Sequence, residues 1–124
     1  MGNVELVRTA ELADAPQTPG LTRRQAFASE GVWIGLATME AHSVTGWHHH
    51  ANHTTYVYVA SGHPRIESGP GGRDVLEAAP GDFVKIPTRT IHRESNPRKE
   101  KGLLIVFRLG SGPTVENTEG PETE

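Results

Sequence analysis

Cysteine is absent from this chain of 124 residues, which excludes a disulfide framework, a thiolate metal site and a cysteine nucleophile. No apolar run approaches the roughly 20 residues that a membrane-spanning helix needs. Basic residues show no excess: Lys and Arg number 12 against 15 Asp and Glu. Glu116, Glu119, Glu122 and Glu124 fall in the last nine residues, and without them 12 basic residues face 11 acidic ones. That balance excludes an electrostatic nucleic-acid surface. The start, MGNVELVRTAELADAP, lacks a basic stretch followed by an apolar one, so no secretory signal is expected and the cytoplasm is the expected compartment. Sustained helical periodicity is missing as well. The length suits one domain.

Histidine (7), glycine (14) and proline (9) are what the chain has in abundance. Glycine and proline divide it into short segments. Val4–Val7 is a strand candidate, followed by the loop ADAPQTPG, and 23–28 is a second candidate. The run 31–41 (GVWIGLATMEA) is apolar on both faces, as a strand between two covered surfaces would be. Thr54–Ala60 (TTYVYVA) is β-branched and aromatic throughout. HPRIES and RDVLEAA read as a hairpin across Gly69–Gly72, and DFVKIP, TIHRESN and LLIVFRL follow, separated by turns. Roughly eight to ten short strands argue for an all-β sandwich or barrel, and the jelly roll is the natural two-sheet solution. The expected organisation is an N-terminal strand and loop over 1–20, a barrel over 21–110 and a polar acidic tail over 111–124. The tail reads as disordered, or ordered only on a partner subunit.

His48, His49 and His50 are consecutive, His53 follows, and His42 precedes them. Side chains alternate along an extended strand, so His48 and His50 share one face while His49 takes the other. Two imidazoles at i and i+2 make a ready pair of metal ligands. His53 returns to the same point if the chain turns at Ala51-Asn52, and His92, on a later strand, can close the site. A solvated histidine cluster is the competing reading of the spacing alone.

The stretch 81–96, GDFVKIPTRTIHRESN, resembles the second signature of the cupin superfamily. Gly81, Pro87, His92 and Asn96 match it, and Arg89 stands where the family has a second glycine. His48, His50 and Gly62 resemble the first signature, with His42 in place of its leading glycine and Thr55 in place of its glutamate ligand. Both signatures in order, separated by residues 63–80, imply a small single-domain cupin of the conserved-barrel type, with an antiparallel two-sheet jelly roll. The resemblance implies that His48, His50 and His92 are ligands of one divalent transition metal per chain. For the missing fourth ligand His53 is the expected substitute, since it shares the inward parity of Thr55; a three-histidine site completed by water is the alternative. Imidazole donors suit Fe, Zn, Ni or Mn, with Fe(II) favoured for an oxygenase.

Glu94 has the parity of His92 and is the candidate general base, or an acceptor behind the ligands. Arg89 is read as a solvated turn residue that does without positive φ. Trp33 and Trp47 are read as core or cavity wall, and Tyr56 and Tyr58 as facing away, towards a subunit contact. Parity gives the inward wall as Thr55, Val57, Val59, Glu94, Leu103 or Leu104, and Val106 or Phe107. This largely apolar wall suits a small organic acid or diketone that chelates through oxygen. The expected function is a metal-dependent, dioxygenase-like enzyme, working as a homodimer without nucleic acid or membrane. A metal-dependent isomerase or lyase, and a non-catalytic metal- or ligand-binding cupin, are the alternatives.

Overall fold

Buried residues alternate with partly or fully exposed ones along the central strands Val32–Met39, Asn52–Ser61 and Gly102–Ser111, with apolar side chains on both faces. The computed structural model describes residues 2–122 and arranges them in two antiparallel sheets packed face to face. The strands are β1 (Ala13–Asp14), β2 (Leu21–Ser29), β3 (Val32–Met39), β4 (Ser43–Val44), β5 (His48–His49), β6 (Asn52–Ser61), β7 (Arg65–Ser68), β8 (Asp74–Glu77), β9 (Phe83–Ile86), β10 (His92–Asn96), β11 (Gly102–Ser111) and β12 (Glu116–Asn117). One sheet runs β1-β2-β3-β11-β6-β9 and the other β12-β5-β10-β7-β8, with β4 also paired to β10. The only helical pieces among the described residues are two three-residue turns, and no helix is long and apolar enough to cross a membrane.

The inward residues of the larger sheet form the core: Trp33, Ala37 and Met39 on β3, Val57 and Val59 on β6, and Leu104 and Val106 on β11. Parity therefore resolves in favour of Leu104 and Val106, with Leu103 and Phe107 on the outer face. Gly35 interrupts β3 because Trp33 folds across it; a Cβ there would strike that ring and the carbonyl of Arg24. Tyr56 is exposed on the outside of β6, and Tyr58 packs there against Phe83 with ring centroids 4.9 Å apart.

Three expectations are corrected. Val4–Val7 is not a strand; Val4 is fully exposed, and the first pairing falls at Ala13–Asp14, inside the stretch read as loop. Apolar residues without a partner strand cannot hold an extended segment in place. Second, the acidic tail is ordered on its own chain and not disordered as far as Glu122; Thr123 and Glu124 lie outside the described residues. It returns to its own barrel, where β12 pairs with β5 (Glu116 opposite His49, Asn117 opposite His48) and Thr118 N–H donates to the Trp47 carbonyl at 2.9 Å. The free edge of β5 offers backbone groups that hydrophobicity does not reveal. Third, Arg89 does adopt positive φ, at 56°, and His42 in the other substituted glycine position does so at 50°. Both turns keep the left-handed conformation and tolerate a Cβ.

Arg89 is exposed, so its strain can be relieved without disturbing packing. Arg89→Gly is expected to stabilise the fold by about 1 kcal/mol, the relief of a left-handed residue less glycine's extra unfolded-state entropy. Urea denaturation checks this, and a lower midpoint would contradict it.

Candidate metal centre

Three histidines converge because two strands are locked in register. His48 on β5 stands opposite His92 on β10, and His50 follows two residues after His48 on the same face. Their donor nitrogens all lie within 4.8 Å of one another. Ring centroids are 4.3 Å apart for His48 and His92, 5.0 Å for His50 and His92, and 5.3 Å for His48 and His50. His48 and His92 are 0% exposed and His50 2%.

Backbone carbonyls decide which nitrogen is free. The Nδ1–H of His48 donates to Gly46 O at 2.9 Å, that of His50 to Thr114 O at 2.8 Å, and that of His92 to Thr90 O at 2.8 Å. A carbonyl only accepts, so each Nδ1 carries the proton and each Nε2 keeps its lone pair. The Nε2 atoms of His48 and His92 are buried without any hydrogen-bond partner. Orphaned lone pairs aimed at one point are what a cation needs, and carbonyl support of Nδ1 orients metal-ligating histidines generally. These residues fit a divalent metal. His49 differs: its Nδ1 accepts from Ala51 N–H at 3.0 Å and its Nε2 faces Glu116 at 3.1 Å, outside the set.

Burial lowers His48 from its ordinary 6.5 to about 4, against the attraction of Glu94. Burial, and next the charge of Arg108, hold His50 well below its ordinary value. Both rings are therefore neutral at pH 7, the form that binds metal. Glu94 is 5% exposed, with one carboxylate oxygen 3.5 Å from His48 Nε2 and the other 3.5 Å from His92 Nε2. Burial favours its protonated form, but the neighbouring His92, His48 and Arg23 outweigh that and hold it below the usual carboxylate range. It is thus an ionised carboxylate beside the donor triangle, close to two corners and outside the mutually close set.

His53 is not brought into that set. It is buried, as its parity requires, but the chain turns at Ala51 (φ 48°) and delivers His53 to β6, in the other sheet. There its Nδ1 approaches His50 O at 3.2 Å and the side chain lines a cleft of about 490 Å³ with Trp33, Gly110 and Thr114. Asn96 holds the turn after β10, donating to Glu40 O at 3.2 Å and Glu100 O at 2.7 Å. Trp33 is core, while Trp47 is half-buried under Gly72 and Gly120, with Arg93 4.6 Å above its ring. Two residues escaped the sequence reading: Arg23 and Arg108 are 1% and 2% exposed beside this centre. The signal was available, since Arg108 continues the inward parity of Leu104 and Val106.

A profile of the cupin domain family matches residues 35–108. No curated protein sequence is significantly similar to the chain. Among solved structures, it is similar to a conserved protein with a double-stranded β-helix domain from Klebsiella pneumoniae, with TM-score 0.74 and 14% identity, covering 94% of this chain and 99% of that one. An RmlC-like cupin from Shewanella frigidimarina superposes with TM-score 0.70 and 16% identity over 88% of this chain and 93% of that one. The oxalate decarboxylase of Bacillus subtilis, a protein with Mn(II) centres, gives TM-score 0.70 and 17% identity; the match covers 85% of this chain but only 30% of that longer one. At these identities the likeness shows the fold.

Two outcomes follow from the geometry. His48 binds a proton less readily in the fold than in the unfolded chain, so the unfolded state takes up more protons between pH 6.5 and about 4, and stability falls on acidification through that window. In the metal-free protein His48 should account for a loss of about 2 kcal/mol between pH 7 and pH 5, with buried His50 adding to it, so His48→Gln should make the slope shallower without abolishing it; a profile already flat in the unmodified chain would contradict the burial of neutral rings. Removing residues 113–124 takes away the Thr114 carbonyl and β12. Chelator competition should then show metal affinity weakened roughly 10–100-fold, whereas unchanged affinity would show that the tail does not orient His50.

Proposed function

The chain belongs to the cupin family, and on that footing we propose that it is a metal-dependent enzyme acting on a small organic substrate that chelates through oxygen, with oxygenase-like chemistry. The observation that supports this best is the His48, His50 and His92 set, each ring fixed by a backbone carbonyl with its Nε2 left to face the others. These three are the proposed ligands of one divalent transition metal per chain. The donor set suits Fe, Zn, Ni or Mn, with Fe(II) favoured for an oxygenase; the Mn(II) centres of the structurally similar oxalate decarboxylase support a metal in this fold. When bound, such an ion supplies a Lewis acid with open positions for an oxygen-chelating substrate.

Glu94 is the proposed proton acceptor. It is ionised, desolvated and within 3.5 Å of two of the Nε2 atoms, so a substrate held at the triangle would meet a carboxylate with no solvent between. His53 lies outside the mutually close donor set, and the position left by Thr55 is assigned to water or substrate. Complete burial of His48 and His92 favours a second reading, a non-catalytic cupin that holds a metal or small ligand without turnover; isomerase or lyase chemistry is the alternative in which His53 also binds and fewer positions stay open. A cytoplasmic homodimer is the proposed setting. Cysteine-free composition suits a reducing compartment, and the outer face of the larger sheet leaves Phe83 77% and Leu109 46% exposed.

Metal analysis of protein purified without a histidine tag tests the reading. Stoichiometric metal is expected, lost in both His48→Ala and His92→Ala, and occupancy unchanged in both variants would overturn it. Glu94→Gln should retain the metal and lose at least 100-fold in oxygen uptake by the Fe(II) form with small carboxylic acids or diketones; metal retention with no turnover in the unmodified chain would favour the binding cupin.

A further inference from the structure

The barrel interior holds two cations that form no direct ion pair among the described residues, with Glu94 attracting both only from beyond contact. Arg23, on β2, and Arg108, on β11, are both inward and more than nine-tenths buried. Arg23 is held by one nitrogen: Nη1 donates to Thr18 Oγ1 at 2.7 Å and to Pro16 O at 3.3 Å. Its Nε and Nη2 have no partner, and these two form one edge of the guanidinium, the fork that takes a carboxylate bidentately. Arg108 is held by its face, 4.5 Å over the Trp33 ring, with Nε and Nη1 unpartnered. Among the described residues neither guanidinium forms an ion pair with a carboxylate.

Thr55 stands in register beside Arg108, and its buried hydroxyl oxygen is unpartnered too. A glutamate at 55, as the first cupin signature has, would place a carboxylate beside Arg108; threonine leaves that charge open. Burial, and Arg23 nearby, pull Arg108 down to about 9. Two buried arginines face the single buried carboxylate of Glu94, and a divalent metal would add two more positive charges. An uncompensated charge is the costliest thing a protein interior can hold.

We propose that Arg23 and Arg108 form a receiving site for a carboxylate of the substrate, which makes the substrate a small dicarboxylate that presents its other carboxylate to the three-histidine set. The arginine half stands on its own geometry; only the placement of the second carboxylate rests on the metal reading above. The pair distinguishes a dicarboxylate from a neutral diketone, which would leave the free Arg23 edge and the unpartnered Arg108 donors without a charged acceptor.

Titration calorimetry of the full-length protein with malonate tests this, on both metal-loaded and chelator-stripped samples, with acetylacetone as the control. Malonate should bind both forms, and more tightly with metal. Arg23→Met and Arg108→Met should each weaken malonate at least tenfold, with metal content and acetylacetone binding unchanged. Arg108→Lys, which keeps the charge and loses the planar guanidinium stacked on Trp33, should fall between. Removing an unpaired buried charge should also raise the thermal midpoint of the ligand-free protein, whereas loss of a merely structural arginine would lower it. Malonate affinity unaffected in both methionine variants overturns the proposal and leaves the metal reading standing. Arginine-dependent malonate binding by a chain that takes up no metal supports it and removes the metal reading instead.

Discussion

The pinning of three imidazoles by backbone carbonyls is the constraint on which the rest depends. Carbonyls of Gly46, Thr90 and Thr114 fix the protons of His48, His92 and His50 on Nδ1, and the three Nε2 atoms are left facing one another, those of His48 and His92 buried and unpartnered. Each carbonyl comes from a different stretch of chain. Register between β5 and β10 supplies two of the rings, and the returning C-terminal segment supplies the carbonyl for the third. The tail is thereby part of the centre's architecture: β12 closes the free edge of β5, and Asn117 accepts from Thr18, which in turn holds Arg23.

Electrostatics follows from that enclosure. A closed β shell makes every buried charge expensive, so burial holds His48 and His50 towards the neutral form, while Glu94 is kept below the usual carboxylate range against its own burial by the groups around it, Arg23 among them. Glu94 is placed by its backbone as much as by its charge, since its N–H donates to Thr45 Oγ1 and its carbonyl accepts from Thr45 N–H. Arg23 with a free guanidinium edge and Arg108 with two unpartnered nitrogens complete a set in which arginines outnumber the carboxylate. Such an interior selects anions before any chemistry begins.

Much of this was legible in the residues. The all-β fold and the approach of His92 to His48 and His50 follow from turn spacing, period-2 alternation and two signatures in order. Strand parity predicted the burial of His53 and Glu94 but not the level or sheet at which they arrive; the left-handed residue Ala51 sends His53 to β6, and no periodicity reports a single φ. The tail was misread for a related reason. Its charge and its Gly and Pro content describe solvent preference, whereas its position is decided by the unpaired edge of β5. Arg108 was passed over because an arginine near the end of a strand is ordinarily solvated, although its parity with Leu104 and Val106 placed it inside.

X-ray absorption spectroscopy of the metal-loaded, untagged protein tests the central claim most directly. The account predicts a first shell containing three nitrogen scatterers with the multiple-scattering signature of imidazole. A shell made of oxygen alone, with no imidazole signature, would contradict it.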